Sequence, residues 1–231
     1  MEATEVRKLT ELEERHWWYR ERRHLLAKAV ADLKPGRALD VGAAGGGNTR
    51  VLQSLGWQAS ALEYGPTGAE VCAARGIPVL RGDATALPLA PGSLDLVVAF
   101  DVLEHLDDDK AAASGVFDAL KPGGSFLVAV PCDPKLWSAH DDAVGHVRRY
   151  TRPTLTDLLQ GAGFQLEPMT SWNVLMRPLV SLRRRSSTGS DLDDPPALLN
   201  NALRAVITLE RYLPVKQLPG VTLLVRAERP L

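Results

Sequence analysis

Along the chain, apolar and polar positions follow two periods in turn, and their alternation predicts a layered α/β protein. Up to about Leu33, apolar and aromatic residues (Leu9, Leu12, Trp17, Trp18, Leu25, Leu26, Val30) recur at three- and four-residue steps, which predicts helix. Lys34, Pro35 and Gly36 stop it. Short apolar runs bounded by glycines then predict strands at Arg37–Val41, Gln58–Glu63, Ile77–Leu80, Leu94–Phe100 and Ser125–Val130. Between them, helices are predicted from Gly47 to about Leu55, over Ala69–Arg75 and over Lys110–Leu120. Strand and helix in alternation predict a doubly wound, mostly parallel, Rossmann-like sheet with helices on both faces.

The final third is less regular. Arg152–Leu159 reads as helix, Phe164–Met169 as strand, Ala197–Leu213 as helix and Val221–Ala227 as a last strand. An apolar-basic stretch, Val174–Arg185, and a polar loop, Ser186–Pro196, lie between. The pattern predicts one domain over 1–231. It has a helical cap at 1–35, a core of 36–173 and 214–231, and an insertion at 174–213 too small to hold its own core. In 174–185, Leu175, Leu179 and Leu182 share one helical face, with Arg177 and Arg183–Arg185 beside it. Pro178 either kinks this helix or lies in its first turn. The segment is read as a mobile cap favouring an apolar or lipid-like ligand, with peripheral membrane contact through 174–185; plain packing on the sheet is the alternative.

The strongest chemical signal is residues 38–48, Ala-Leu-Asp-Val-Gly-Ala-Ala-Gly-Gly-Gly-Asn. A buried strand ends at Val41 and glycines turn the chain into a helix, so that a ligand can approach the backbone and meet free N–H groups. A dinucleotide site wants GxGxxG, and here Ala44 takes the second glycine's place. Asp40 also faces an anionic pyrophosphate poorly and suits a cationic cofactor.

Residues 38–48 resemble motif I of the class I S-adenosylmethionine-dependent methyltransferases, with Ala44 in place of the middle glycine. Ala-Leu-Glu-Tyr (61–64), Gly-Asp-Ala-Thr-Ala-Leu-Pro-Leu (82–89), the 94–105 run ending Asp-Val-Leu-Glu-His, and Leu-Lys-Pro-Gly-Gly (120–124) follow in the family's order. The resemblance is strong over about 36–130. It is nearest to small-molecule enzymes similar to the ubiquinone-biosynthesis O-methyltransferase group. It implies S-adenosyl-L-methionine as cofactor and S-adenosyl-L-homocysteine as product. Asp40, Gly42, Ala43 and Gly45 would meet the cofactor in the glycine loop. Glu63 would accept from both ribose hydroxyls, with Tyr64 beside it. Asp83 and Ala84 would hold the adenine, and Phe100 and His105 would complete the site. In the His-Trp-Trp-Tyr-Arg-Glu-Arg-Arg segment (16–23), Arg22 or Arg23 would meet the methionine carboxylate, while Trp17, Trp18 and Tyr19 lid the cofactor or simply pack the helix.

The family's chemistry transfers a methyl group to an acceptor, here expected to be a small molecule with a hydroxyl oxygen. An oxygen acceptor can need a base, and His105, His140 and His146 follow strands four and five where acceptors dock. His140-Asp141-Asp142 offers an imidazole beside carboxylates; Arg148 and Arg149 either bind an anionic acceptor or pair with Asp141 and Asp142. No metal is expected, because no histidine pair has a ligand spacing such as HxxxH. A net charge of −1 gives no field toward nucleic acid, and strand four ends Phe-Asp-Val-Leu rather than the Asn/Asp-Pro-Pro-aromatic of amino-directed DNA enzymes. The alternatives are an NAD-dependent oxidoreductase and a non-catalytic cofactor-binding partner subunit. Cys72 and Cys132 form no CxxC, the first residues lack an apolar signal core, and no apolar run approaches the roughly 18 residues of a membrane span, so the expected location is cytoplasmic.

Overall fold

The computed structural model describes Val6, residues 10–184 and residues 195–231. Leu9, Arg185 and all of the predicted polar loop but its last two residues fall outside that set. Helix α1 (Trp17–Ala29) leads into β1 (Arg37–Val41), α2 (Gly47–Ser54), β2 (Gln58–Glu63), α3 (Pro66–Ala74) and β3 (Val79–Arg81). There follow β4 (Leu94–Phe100), α4 (Asp109–Ala119), β5 (Leu120–Pro131), α5 (Ala139–Val144) and α6 (Arg152–Gly161). The chain ends with β6 (Gln165–Leu166), β7 (Thr170–Trp172), α7 (Arg177–Arg184), α8 (Ala197–Glu210) and β8 (Thr222–Glu228).

One sheet runs in the order β3-β2-β1-β4-β5-β8-β6, with β7 also paired to β8. The first five strands are parallel and β8 is antiparallel to β5. Strand alternation divides the core. Leu39, Val41, Val97 and Ala99 pack on one face with α4 and α6 residues such as Val116 and Leu155. Ala38, Leu96, Val98 and Phe100 pack on the other with Leu26 and Leu52 of α1 and α2.

Two predicted elements differ. The N-terminal helix is not continuous to Leu33: helix ends at Leu12, the chain turns, and α1 restarts with the His16 side chain accepting from Trp18 N at 3.2 Å. An imidazole acceptor here replaces the usual Ser or Asp cap. The predicted strand 164–169 is instead two short strands, β6 and β7, both beside β8. Pro168 lies between them and has no N–H to continue a ladder.

Helices α7 and α8 cross from β7 to β8 and cover the carboxyl ends of the parallel strands. Pro178 occupies the first turn of α7, where its missing N–H costs nothing. Met176, Val180, Leu203 and Ile207 face inward onto Trp17, Trp18 and Trp172, while Leu179 and Leu182 are exposed. The expected Leu175–Leu179–Leu182 face is therefore not the packed one. Two of the segment's arginines are engaged within the fold. Arg177 pairs with Asp133 and donates to Gly220 O, and Arg184 donates to Leu136 O at 3.0 Å and Asp141 Oδ2 at 3.1 Å. Among the described residues no helix is long and apolar enough to cross a membrane, and both cysteines are buried thiols.

Candidate functional site

The carboxyl ends of β1, β2, β4 and β5 bring the sequence-predicted residues to one end of the sheet, where doubly wound folds bind ligands. Gly42 (φ +66°) and Gly46 (φ +77°) take left-handed backbone in the turn after β1. A Cβ on Gly46 would lie 2.2 Å from Ile77 Cδ1, so the loop packs on the turn between α3 and β3 with no room for a side chain. Ala44 also sits at φ +50°. An alanine there is not a neutral replacement for glycine, since left-handed backbone costs a residue with a Cβ about 1–2 kcal/mol. Ala44→Gly is expected to raise stability by about 0.5–1 kcal/mol after glycine's extra unfolded-state entropy is subtracted. Urea denaturation checks this, and an equally or less stable variant would mean that the turn is not strained.

Under this loop lie three acidic side chains. Asp40 is 1% exposed and accepts from Thr49 Oγ1 at 2.7 Å, so it faces the start of α2 and not the cavity. Burial, then the neighbouring Glu63, pushes its carboxyl up to about 7. Glu63 accepts from Ala44 N, and burial raises it also. Gly68 leaves it room, because a Cβ there would stand 2.2 Å from Glu63 Oε2. Glu13 is buried beside Gly45 and Gly47 and paired to Arg75. Tyr64 is exposed. Asp83 is exposed and closes its own turn, accepting from Thr85 N at 2.8 Å and Thr85 Oγ1 at 2.7 Å, while Ala84 packs on the core.

A cavity of about 450 Å³ opens between the loop, α1 and the α7–α8 cover. Gly42, Ala43, Arg22, Phe100, His105, His140 and His146 line it, whereas Asp40, Gly45, Glu63, Tyr64, Asp83 and Ala84 do not. Arg22 stacks 4.6 Å from the Phe100 ring and pairs with Asp101. Trp17 and Trp18 both line the cavity and pack under the cover, Trp18 lying 4.4 Å from Trp172. A second cavity of about 330 Å³, beyond α1 and α8, holds none of the predicted site residues.

At the far end of the larger cavity stand the histidines. His146 Nδ1 lies 2.8 Å from Asp141 Oδ1. Burial opposes the charge on Asp141, but bonds from His146, Arg149 and Ser138 N hold its carboxyl below the usual range. An ionised carboxylate only accepts, so Nδ1 carries the proton and Nε2 is left as a base. The sequence suggested His140 for this pairing, and the fold gives Asp141 to His146. The His140 ring is 6.2 Å from that of His146. His105 Nδ1 donates to Gly145 O at 3.1 Å, and burial, then His146, lowers its pKa. Arg148 pairs with Asp109, and Asp142 accepts from Trp137 Nε1.

Three groups were not singled out from sequence. Asp101 (φ +57°) anchors Arg22. Glu104 is fully buried, neither carboxyl oxygen has a hydrogen-bond partner among the described residues, and burial, then Asp101, raises it well above the carboxylate range. Asn173 is buried, and its amide has no hydrogen-bond partner among the described residues. Glu104, His105 and His146 bring ligand atoms within 4.8 Å of one another, the set among the described residues that could hold a metal ion. Residue spacing did not reveal it because its members come from two segments about 40 residues apart that only the fold joins.

The family described as "Methyltransferase domain" matches residues 14–168. The chain belongs to this methyltransferase family. It is 31% identical over 169 residues to a probable S-adenosylmethionine-dependent methyltransferase of Mycolicibacterium smegmatis, covering 71% of this chain and 65% of that protein. It therefore spans a little under two thirds of that relative. It is also 28% identical over 176 residues to the ubiquinone biosynthesis O-methyltransferase of Xanthomonas euvesicatoria, covering 68% and 73%. The fold is similar to a SAM-dependent methyltransferase from Thermotoga maritima, with a TM-score of 0.65, 18% identity and coverage of 98% and 95%. It also resembles the methyltransferase bound to the Trm112 activator of Haloferax volcanii, with a TM-score of 0.67, 20% identity and coverage of 99% and 96%.

The donor set of this methyltransferase suits S-adenosylmethionine, the family's cofactor. Glu13, on the cavity wall, is the acidic group under the loop that a cationic cofactor would face; Asp40 turns to Thr49 and Glu63 to Ala44 N. Buried Arg22 offers a guanidinium for a carboxylate.

Proposed function

We propose that the chain methylates a hydroxyl oxygen of a small, largely apolar acceptor held between the glycine loop and the α7–α8 cover, with 174–213 as its lid. The observation that carries this reading is the Asp141–His146 pair, 2.8 Å apart, at the wall of the same cavity as Gly42 and Arg22. When bound, the cofactor supplies a methyl group already activated by its sulfonium.

The chain's own task is then to orient the acceptor, exclude water and take one proton. His146 Nε2 receives the hydroxyl proton, and Asp141 stabilises the imidazolium that results. Arg22 and the loop N–H groups hold the amino-acid end of the cofactor, and Glu63 turns from Ala44 to the ribose. Met176, Val180 and Leu203 form apolar walls for the acceptor body, and Leu179 and Leu199 lie at its rim. Arg177 and Arg184 of the lid are engaged within the fold, on Asp133 and Asp141, and this supports an apolar acceptor over docking on an anionic lipid surface. A net charge of −1 supports a small molecule over nucleic acid. Incubation with methyl-labelled cofactor and a metabolite extract, followed by mass spectrometry, is expected to give a labelled methyl ether. Label found solely on nitrogen or carbon, or in nucleic acid, would defeat the reading.

A further inference from the structure

Asn173 follows β7 with its backbone at φ +62°, a region that asparagine tolerates better than most side chains. It is 1% exposed and lines the cavity, yet neither Oδ1 nor Nδ2 has a hydrogen-bond partner among the described residues. Arg149 lines the same cavity. Its Nε donates to Asp141 Oδ1 at 2.8 Å and its Nη1 to Cys132 O at 3.1 Å, while the buried Nη2 has no partner there. Buried amide and guanidinium groups without partners are rare in native interiors, and those on a cavity wall point to a polar ligand atom. The same cavity wall also carries the apolar Met176, Val180 and Leu203.

We propose that Asn173 Nδ2 and Arg149 Nη2 form a subsite that reads an oxo group, a carbonyl or carboxylate oxygen, placed beside the acceptor's reacting hydroxyl. Both atoms are donors, and Nη2 can only donate, so the group they read is an oxygen that accepts. The inference rests on the acceptor reading above and narrows it to hydroxylated compounds that carry an adjacent oxo group on an apolar body.

The test uses the full chain saturated with S-adenosylhomocysteine and two probes. One is para-pentylphenol, and the other is its ortho-carboxylated counterpart, which adds one carboxylate beside the same hydroxyl. Calorimetry is expected to give about tenfold tighter binding of the carboxylated probe, the scale of one hydrogen bond to a charged group. Asn173→Gly, which relieves the left-handed backbone and removes the amide, should reduce that preference by at least about fivefold with unchanged affinity for S-adenosylhomocysteine. Equal binding of the two probes, or a preference intact in the folded variant, overturns the subsite; a buried water would then be what the amide holds. Binding of neither probe refutes the acceptor reading itself, and the subsite with it.

Discussion

His146→Ala is expected to lower turnover roughly 10²–10⁴-fold, the usual contribution of a positioned general base, while cofactor affinity stays unchanged. The expectation comes from the two ends of one ring. Nδ1 is held by a carboxylate that also accepts from Arg149, Arg184 and the Ser138 N–H, so the imidazole cannot easily turn. Nε2 is 3.8 Å from Glu104 Oε1, too long for a hydrogen bond, and is left to act as the base. Asp141→Asn should share much of the loss, because an amide can donate to Nδ1 and turn the proton toward Nε2. Single-turnover measurement with cofactor affinity followed separately checks both variants. Full turnover by both would mean that proton removal occurs elsewhere.

The same ring belongs to the Glu104–His105–His146 trio, which gives the prediction a second edge. If His146 works as a base, turnover survives a chelator such as EDTA, and added zinc inhibits by occupying Nε2. If chelation abolishes turnover and a divalent ion restores it, the trio is a metal site and the base assignment fails. The fixed Nδ1 contacts of both histidines would serve either chemistry, so the metal dependence and not the geometry separates them.

What sequence could reveal here was whatever is written in consecutive residues. The glycine turn, the five parallel strands and the Arg152 helix start depend on local period and on residues that tolerate special backbone. Ala44 shows the limit: from sequence it is a small residue in a glycine loop, and its φ of +50° is seen only in the fold. The acceptor side was harder because its contacts cross the chain. Asp141 stands next to His140 in sequence but turns to His146, since the α5 helix and the left-handed Gly145 bring the chain back upon it. Asn173 carried no signal at all. A lone asparagine between Trp172 and Val174 is an ordinary strand end until burial shows an amide with nothing to bond. The ion pairs of Arg177 and Arg184 were illegible for a related reason, as charge on an amphipathic stretch looks like solvent-facing charge until Asp133 and Asp141 are found opposite.

Gly42→Val is expected to abolish cofactor binding, and the structure changes the reason why. A Cβ on Gly42 would lie 2.8 Å from Val102 Cγ2, and the residue holds φ +66°. The substitution thus forces a β-branched residue into left-handed backbone at about 1–2 kcal/mol or more, and overpacks Val102 at about 1–3 kcal/mol. Part of the effect is on the fold, so lost binding alone would not identify a cofactor loop. Glu63→Gln separates the two. It keeps size and an oxygen that can accept from Ala44 N, but removes the charge and turns the other acceptor oxygen into an NH2 donor, so fewer lone pairs remain for the ribose hydroxyls. Glu63→Gln should melt near the wild type and bind S-adenosylhomocysteine more weakly by about 1–3 kcal/mol, the scale for hydrogen bonds to a charged group. Gly42→Val should lose measurable binding together with a lower melting temperature. Wild-type affinity in folded Glu63→Gln would move the ribose contact away from the end of β2. Wild-type affinity in Gly42→Val would remove the glycine loop from the site altogether.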